Sequence, residues 1–478
     1  MSLTTSGESD RRWPGLPGKG GSMVGLATLV LLSGCSIYRP VVLPTEPSFP
    51  SGAPHLSMPP RDMPLPELAA HVFNPSDGLD MTEVAMLAVA NNPELKVARS
   101  DAAVSRAQAF AAGLLPDPQL AGTRDVPTNG DGTFSPAYSL GLSYDINALL
   151  THSAVKQAAE TTRQQTDLNL LWQEWMVVAK ARLLFAQSLG QQKLLAVLQE
   201  EQTLIASRHA RLQEALSTGD VTLDTVSADL VELQNIGTQI NELDRRVRSG
   251  QQDLNALLGL APGTRLHLTG GIQLPDLDES VIRQRMTQLG RRRPDLLALQ
   301  AGYESQEQRF RQAVLAQFPA FNLGLTRARD TSGLYTRGLG ITLSLPIFNR
   351  NRGNIAIEKA TRQRLHDEYQ MRLNAAYEDS ARILEDQGLL VQQRRDISSG
   401  VDTLARTVAA AESTFAAQDM DELVYTQIRT AWLAKRAEAI AIDQTLLEQR
   451  VMLQALVGGE LPVRITPQPG STPKESRP

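Results

Sequence analysis

One side chain in this sequence sits in a pattern with covalent chemistry of its own. Cys35, the single cysteine among 478 residues, closes the run Leu32-Ser33-Gly34-Cys35. That is the pattern of a bacterial lipobox, in which the thiol is acylated and becomes the first residue of the mature chain. Ahead of it, Arg11, Arg12 and Lys19 form a positive segment and Met23 to Leu32 an apolar one, the layout of a signal peptide. Ser36, rather than Asp, follows the cysteine, which fits a lipoprotein passed on to the outer membrane, and two or more acyl chains such as palmitate anchor durably. The remaining reactive residue types form no constellation. His152, His209 and His366 lie in helical stretches without carboxylate or cysteine partners at ligand spacing, so each is expected to be solvated or interfacial. No Gly-rich loop leads into a Lys-Ser/Thr pair. No catalytic residue, metal site or cofactor is therefore expected.

Composition narrows the class. A net charge of −5 and a pI near 5.8 give no basis for nucleic-acid binding. Mean hydropathy is −0.22 and no apolar run reaches the ~18 residues of a membrane helix. Prolines are segregated: none of the 27 lies in Ala137–Ala261 or Ile347–Leu461, so helix is expected through most of both spans.

What leads into those spans is alternating sequence. Leu339-Gly340-Ile341-Thr342-Leu343-Ser344-Leu345 has the period of two of a strand with one oily and one small, polar face. A compact polar turn, Pro346-Ile347-Phe348-Asn349-Arg350-Asn351-Arg352-Gly353, then passes into helical composition. About 200 residues upstream, Tyr138-Ser139-Leu140-Gly141-Leu142-Ser143-Tyr144-Asp145-Ile146 alternates in the same way before the other helical span. Asn92-Pro93-Glu94-Leu95 answers Arg293-Pro294-Asp295-Leu296, and Pro118 answers Pro319, at one constant offset. The chain is an internal duplication, and a repeat of this length governs the fold.

In order, the expected segments are a lipoprotein signal peptide (1–34), an acylated Pro-rich extended linker (35–78), a first repeat (79–260), a connector (261–278), a second repeat (279–458) and a disordered tail (459–478). Pro40 to Pro66 is expected to be extended, without helix or strand. Each repeat should hold a short amphipathic helix, a second helix, two strands and a long helical hairpin. In the first these are Asp80–Asn91, Glu94–Leu115, Leu120–Arg124 and Tyr138–Ile146, then helices over 150–216 and Val221–Leu258. In the second they are a helix ending at Arg291, Asp295–Gln317, Phe321–Arg327, the Leu339 strand and helices meeting near Gln418-Asp419. Leu168, Leu171, Trp172, Trp175 and Met176 are spaced as the buried seam of a coiled coil.

Strands of seven to ten residues are about long enough to cross a bilayer obliquely. Four of them cannot close a barrel, and an open edge cannot sit in lipid, so a membrane role requires oligomerisation. Three chains would supply about twelve strands, within the range of outer-membrane barrels. The strand loops, Asp125–Ser135 and Arg329–Thr336, would face outside and the helices would form a tube of antiparallel pairs on the other side.

At this point the sequence resembles the TolC-like outer-membrane efflux proteins over roughly residues 80–458. The run Leu345 to Ile355 is similar to outer-membrane components of heavy-metal efflux systems of the resistance–nodulation–division class, while the first junction, Asp145-Ile146-Asn147-Ala148-Leu149-Leu150, departs from the usual turn. The resemblance implies a mainly α fold with a small β part: a homotrimer with a long α-helical barrel and a 12-stranded β-barrel, and no enzyme. It implies a strand–helix junction at Pro346, Phe348, Asn349, Arg350, Asn351 and Gly353. It also implies a periplasmic adaptor that docks on the hairpin tips (Ser217, Thr218, Gly219, Val221; Ala417, Gln418, Met420) and an inner-membrane pump that supplies the energy. Asp220, Asp224, Asp419 and Asp421 are the candidates for an acidic aperture ring; the same acids would suit helix N-caps and first turns. Gln418 stands where relatives carry Gly. The implied role is a passive exit duct for heavy-metal cations, held in outer-membrane lipid, with drug or small-molecule efflux or type I secretion as alternatives on the same fold. A lipid-anchored periplasmic adaptor or coiled-coil scaffold is the competing class.

Overall fold

The computed structural model describes residues 38–50, 54–128, 135–271, 274–459 and 461–462. The signal segment and Cys35 lie outside the described residues, as do all but Gly459, Leu461 and Pro462 of the expected tail. The first 48 residues form a unit of their own, of which the described part is exposed and free of helix and strand. The second unit begins at Phe49.

Its elements come twice. A short helix α1 (Pro66–Ala70) is followed by α2 (Met81–Asn91), α3 (Pro93–Ala112), β1 (Gln119–Asp125), β2 (Ala137–Asp145), α4 (Ile146–Thr218) and α5 (Leu223–Leu257). Then come α6 (Glu279–Met286), α7 (Leu289–Arg292), α8 (Pro294–Leu315), β3 (Ala320–Arg329), β4 (Tyr335–Ser344), α9 (Arg352–Ala416) and α10 (Glu422–Val457). The 73 residues of α4 give a rod on the order of 110 Å long, at about 1.5 Å per residue. Pro93 and Pro294 each occupy the first helical position, where the missing N–H is no loss.

The four strands form one antiparallel sheet in the order β1-β2-β3-β4, so the central pairing joins the two repeats. Register puts Leu120, Leu142, Leu325 and Leu339 in one row and Leu323 opposite Ile341 in the next, on a single apolar face. Gly141, Thr326, Gly324, Gly340 and Thr342 lie on the other. Ile341 and Leu339 are about two-thirds exposed, which no water-facing sheet side requires.

Along its length α4 is the hub, packing against α2, α3, α5, α8 and α10. The first repeat thus rests on the second. Small residues let α4 and α8 approach: Ala154 and Ala158 face Ala301 and Ser305, all buried, and the Ser305 hydroxyl donates to the Ala158 carbonyl at 2.9 Å. In the first hairpin Leu198 and Ile205 of α4 meet Ile236 and Leu243 of α5, each pair spaced by seven as in a coiled coil.

Several expectations are corrected. The helix α2 is not amphipathic: Val84 through Val89 are fully buried, because Met81–Ala90 is almost continuously apolar and such a helix belongs inside. It opens with a capping box, Asp80 accepting from the Glu83 N–H and Glu83 from the Asp80 N–H. The Pro-rich segment is not wholly extended. It makes a 3₁₀ turn at Pro60–Asp62 and begins α1 at Pro66, with Met63 and Leu68 sealed into the core beside α2. The expected helix to Arg291 is two helices, broken at Thr287 and Gln288. Ile146 starts α4 rather than ending β2. The Leu168–Met176 stripe is only half-covered, and Met176 is exposed; full burial begins one turn on, at Val178, Ala181, Leu184 and Phe185, where α2 lies across α4.

The α2–α3 corner docks on the end of α5. Asn92 Nδ2 donates to the Leu257 carbonyl at 2.9 Å. Gly259 takes φ +64°, and a Cβ there would lie 2.7 Å from the Asn91 carbonyl oxygen. Gly259→Ala is expected to destabilise the folded chain by about 1–3 kcal/mol. Denaturant unfolding of the detergent-solubilised protein measures this; an unchanged midpoint would show that the corner yields freely.

Candidate functional site

The site expected at the hairpin tips is built from two turns of the same type. At the end of α4 the Gly219 N–H reaches the Leu216 carbonyl and the Asp220 N–H reaches the Ala215 carbonyl, at 3.2 and 2.9 Å. At the end of α9 the Gln418 N–H reaches Phe415 and the Asp419 N–H reaches Thr414, at 3.0 and 3.1 Å. This Schellman pattern needs a left-handed residue after the helix. Gly219 supplies it at φ +84° without strain, whereas Gln418 holds φ +65° against its own Cβ. In the second tip Phe415 and Tyr425 stack with ring centroids 4.6 Å apart, tying α9 to α10.

The four acids are all exposed and play different local parts. Asp421 is the N-cap of α10, accepting from the Leu423 N–H at 2.7 Å. Asp224 lies in the first turn of α5, where the helix dipole favours a negative charge. Asp220 is no N-cap: its carboxylate accepts from the Thr218 hydroxyl at 2.5 Å, and Thr222 stands at the N-cap of α5. Asp419 follows the Gln418 turn. Of the other tip candidates, Ser217, Thr218 and Ala417 are exposed, while Val221 and Met420 are half-buried.

The contacts between hairpins lie behind the tips and were not foreseen. Glu200 of α4 accepts from both Arg429 and Arg436 of α10, at 3.3 and 3.0 Å. Arg211 of α4 pairs with Glu422 at the start of α10. These partners are more than 200 residues apart, and no local spacing announces them.

His209 corrects another expectation. It is buried, with Nδ1 3.0 Å from Asp229 of α5, and the same carboxylate takes Arg208 Nε at 2.5 Å. Arg208 also pairs with Glu232. Burial alone would lower the Arg208 pKa, but the Glu232 and Asp229 carboxylates outweigh it and the pKa is raised. Burial, with the nearby Glu232 charge, raises that of Glu201. His366, as expected, is exposed, beside Asp367. Among the described residues no group of three or more His, Cys, Asp or Glu could hold a metal ion, and no helix is long and apolar enough to cross a membrane.

At the strand–helix junctions the two repeats differ. Asp145 caps α4 directly, accepting from the Ala148 N–H at 3.0 Å. After β4 the chain instead coils through Pro346–Asn351, with Arg350 and Asn351 left-handed at φ +48° and +52°. Asn351 Nδ2 donates to the Ala313 carbonyl at 2.8 Å, pinning the turn to α8. Phe348 is 89% exposed, so among the described residues nothing covers it. Asn349 accepts from the Arg352 N–H, and Gly353 has open space where a Cβ would stand.

A four-stranded antiparallel sheet with one apolar face, continued by two long helical hairpins, defines the chain fold of the TolC-like outer-membrane efflux channels. Sequence agrees: residues 286–459 match the family described as outer membrane efflux protein. The chain is 22% identical over 399 residues to the probable outer membrane lipoprotein SilC of Salmonella typhimurium, spanning 78% of this chain and 84% of that protein. The crystal structure of CusC superposes with a TM-score of 0.64 at 18% identity, over 85% of this chain and 99% of that one. The outer membrane channel CmeC of Campylobacter jejuni gives 0.68 at 17% identity, over 90% and 96%. The resemblance to outer-membrane efflux proteins therefore holds, and the matched family is one of efflux proteins rather than enzymes.

Replacing Asp229 by Ala leaves Arg208 and His209 buried without their shared carboxylate. The loss is expected to be about 3–5 kcal/mol, read as faster amide hydrogen exchange in residues 200–240 with the sheet unaffected. Exchange unchanged in that window would mean that water replaces the carboxylate at little cost.

Proposed function

We propose that three copies of this chain assemble into an outer-membrane exit duct that passively conducts cargo exported by an inner-membrane pump. One observation carries the reading. The sheet has a largely exposed face, apolar over most of its length, and two edges, β1 and β4, that pair with no other strand among the described residues. In hydrocarbon every backbone N–H and C=O must be bonded, so such edges can be immersed only by joining the edges of other copies. Three sheets give about twelve strands, a workable barrel. Cys35 carries the lipid anchor, a reading supported by similarity to a relative described as an outer membrane lipoprotein. The hairpins hang into the periplasm, and the tips around Gly219 and Gln418 receive a periplasmic adaptor. Heavy-metal cations are the proposed cargo, on the strength of the Leu345–Ile355 run; a passive duct needs no ligands for them.

The mass and negative-stain image of the detergent-extracted protein test the duct. A trimeric tube over ~100 Å long is expected; a monomer that stays soluble without detergent once Cys35 is replaced would overturn it. Within the duct, Asp419 and Asp421 narrow the periplasmic end by charge. Asp421→Asn keeps the N-cap, since Asn caps as well as Asp, and removes only the charge. Combined with Asp419→Asn it should raise leak conductance and weaken cation preference in planar bilayers. Conductance equal to wild type would reject the aperture role.

A further inference from the structure

Register places four arginines on the apolar face of the sheet, all at the end away from the helices. Arg124, Tyr138, Arg329 and Tyr335 form the outermost row, and Arg327 stands directly opposite Arg337 in the next. Like charges facing each other across two strands repel. Among the described residues, Arg124, Arg327 and Arg337 have no carboxylate within ion-pair distance. The acid of the β3–β4 turn, Asp330, turns Oδ1 to its own loop, accepting from the Ser332 N–H and hydroxyl and from the Leu334 N–H. Arg329 lies over the Tyr335 ring, 5.7 Å from its centroid. One row toward the helices the face is leucine, and Arg327 and Arg337 overhang a groove of about 640 Å³ lined by Leu140, Leu142, Leu325 and Leu339.

We propose that this belt binds the phosphate of an anionic lipid in the leaflet at the loop end of the strands, with the lipid's acyl chains on the leucines of the groove. The proposal rests on the reading of these strands as a membrane wall. Charge and depth both select the occupant. A phosphate set between Arg327 and Arg337 neutralises the repulsion between them, and guanidinium matches phosphate oxygens in pairs. The leucine row lies two residues further along the strands, about 7 Å deeper, where acyl carbon follows a headgroup. A free anion would leave that groove uncovered. Tyr138 and Tyr335 stand at the same level, as aromatic side chains do at a membrane interface.

The full-length protein and the Arg327→Gln/Arg337→Gln variant are reconstituted in phosphatidylcholine vesicles containing a minor fraction of lipid A or of its dephosphorylated form. Lipid retained through re-extraction and purification is quantified by mass spectrometry, and carbonate-resistant insertion is scored separately. Wild type should retain lipid A over the dephosphorylated form by roughly tenfold, the scale of one charge-assisted hydrogen bond. The double variant should insert normally and lose that preference, while Arg395→Gln, on the long helix α9, should keep it. Equal retention of both forms by wild type, or an unchanged preference in the double variant, would overturn the lipid site and leave the barrel standing. Displacement of lipid A by inorganic phosphate alone would show a free-anion site instead. Failure of wild type to insert in any vesicle would remove the membrane wall and the lipid site together.

Discussion

The hydrogen-bonding capacity of two strand edges constrains everything else in this chain. β1 and β4 each offer a row of backbone donors and acceptors outward, and their side chains on one face are leucine and isoleucine. Water would satisfy the edges and reject the face, whereas hydrocarbon accepts the face and rejects the edges. Only a closed ring of sheets resolves the conflict. The helices run on from its strands, since two long hairpins springing from one sheet must be straight enough to pack side by side. Proline is accordingly absent from both spans, and small residues line the α4–α8 contact.

The duplicated plan was legible because period and proline are local signals. Strand alternation, helix starts at Pro93 and Pro294, and the Gly219 turn can be read within a few residues, and they fell within a residue or two of the observed ends, except that the Leu339 strand begins four residues earlier, at Tyr335. What escaped reading is tertiary. The burial of α2 on every side depends on α4 and the Met63–Leu68 segment arriving from elsewhere in the chain. His209 looked alone because Asp229 lies on the partner helix, twenty residues away around a turn. The same holds for the pairs from Glu200 to Arg429 and Arg436. The tip acids were half-legible. Asp421 and Asp224 sit where helix starts favour them, but Asp220 belongs to the preceding turn through Thr218.

The two repeats are copies in plan and not in chemistry. One tip turns on a glycine and the other on a strained glutamine braced by stacked rings. One strand passes straight into its helix under an aspartate cap, and the other coils through two left-handed residues anchored to α8. Twofold repetition supplies the scaffold, and the departures from it give the two hairpins unlike ends.

The central pairing of the sheet carries a consequence for how the chain acquires its fold. Leu142 and Leu325 face each other across β2 and β3, about 180 residues apart in sequence, so their pairing must close a very long loop. That loop contains the whole first hairpin and α8. A chain emerging from its amino end can wind α4 and α5 from local contacts early, but β2 has to wait for β3 with one edge bare. The sheet therefore matures after the first hairpin, and the interval before it does is the vulnerable one, when an escort that shields β2 would do most good.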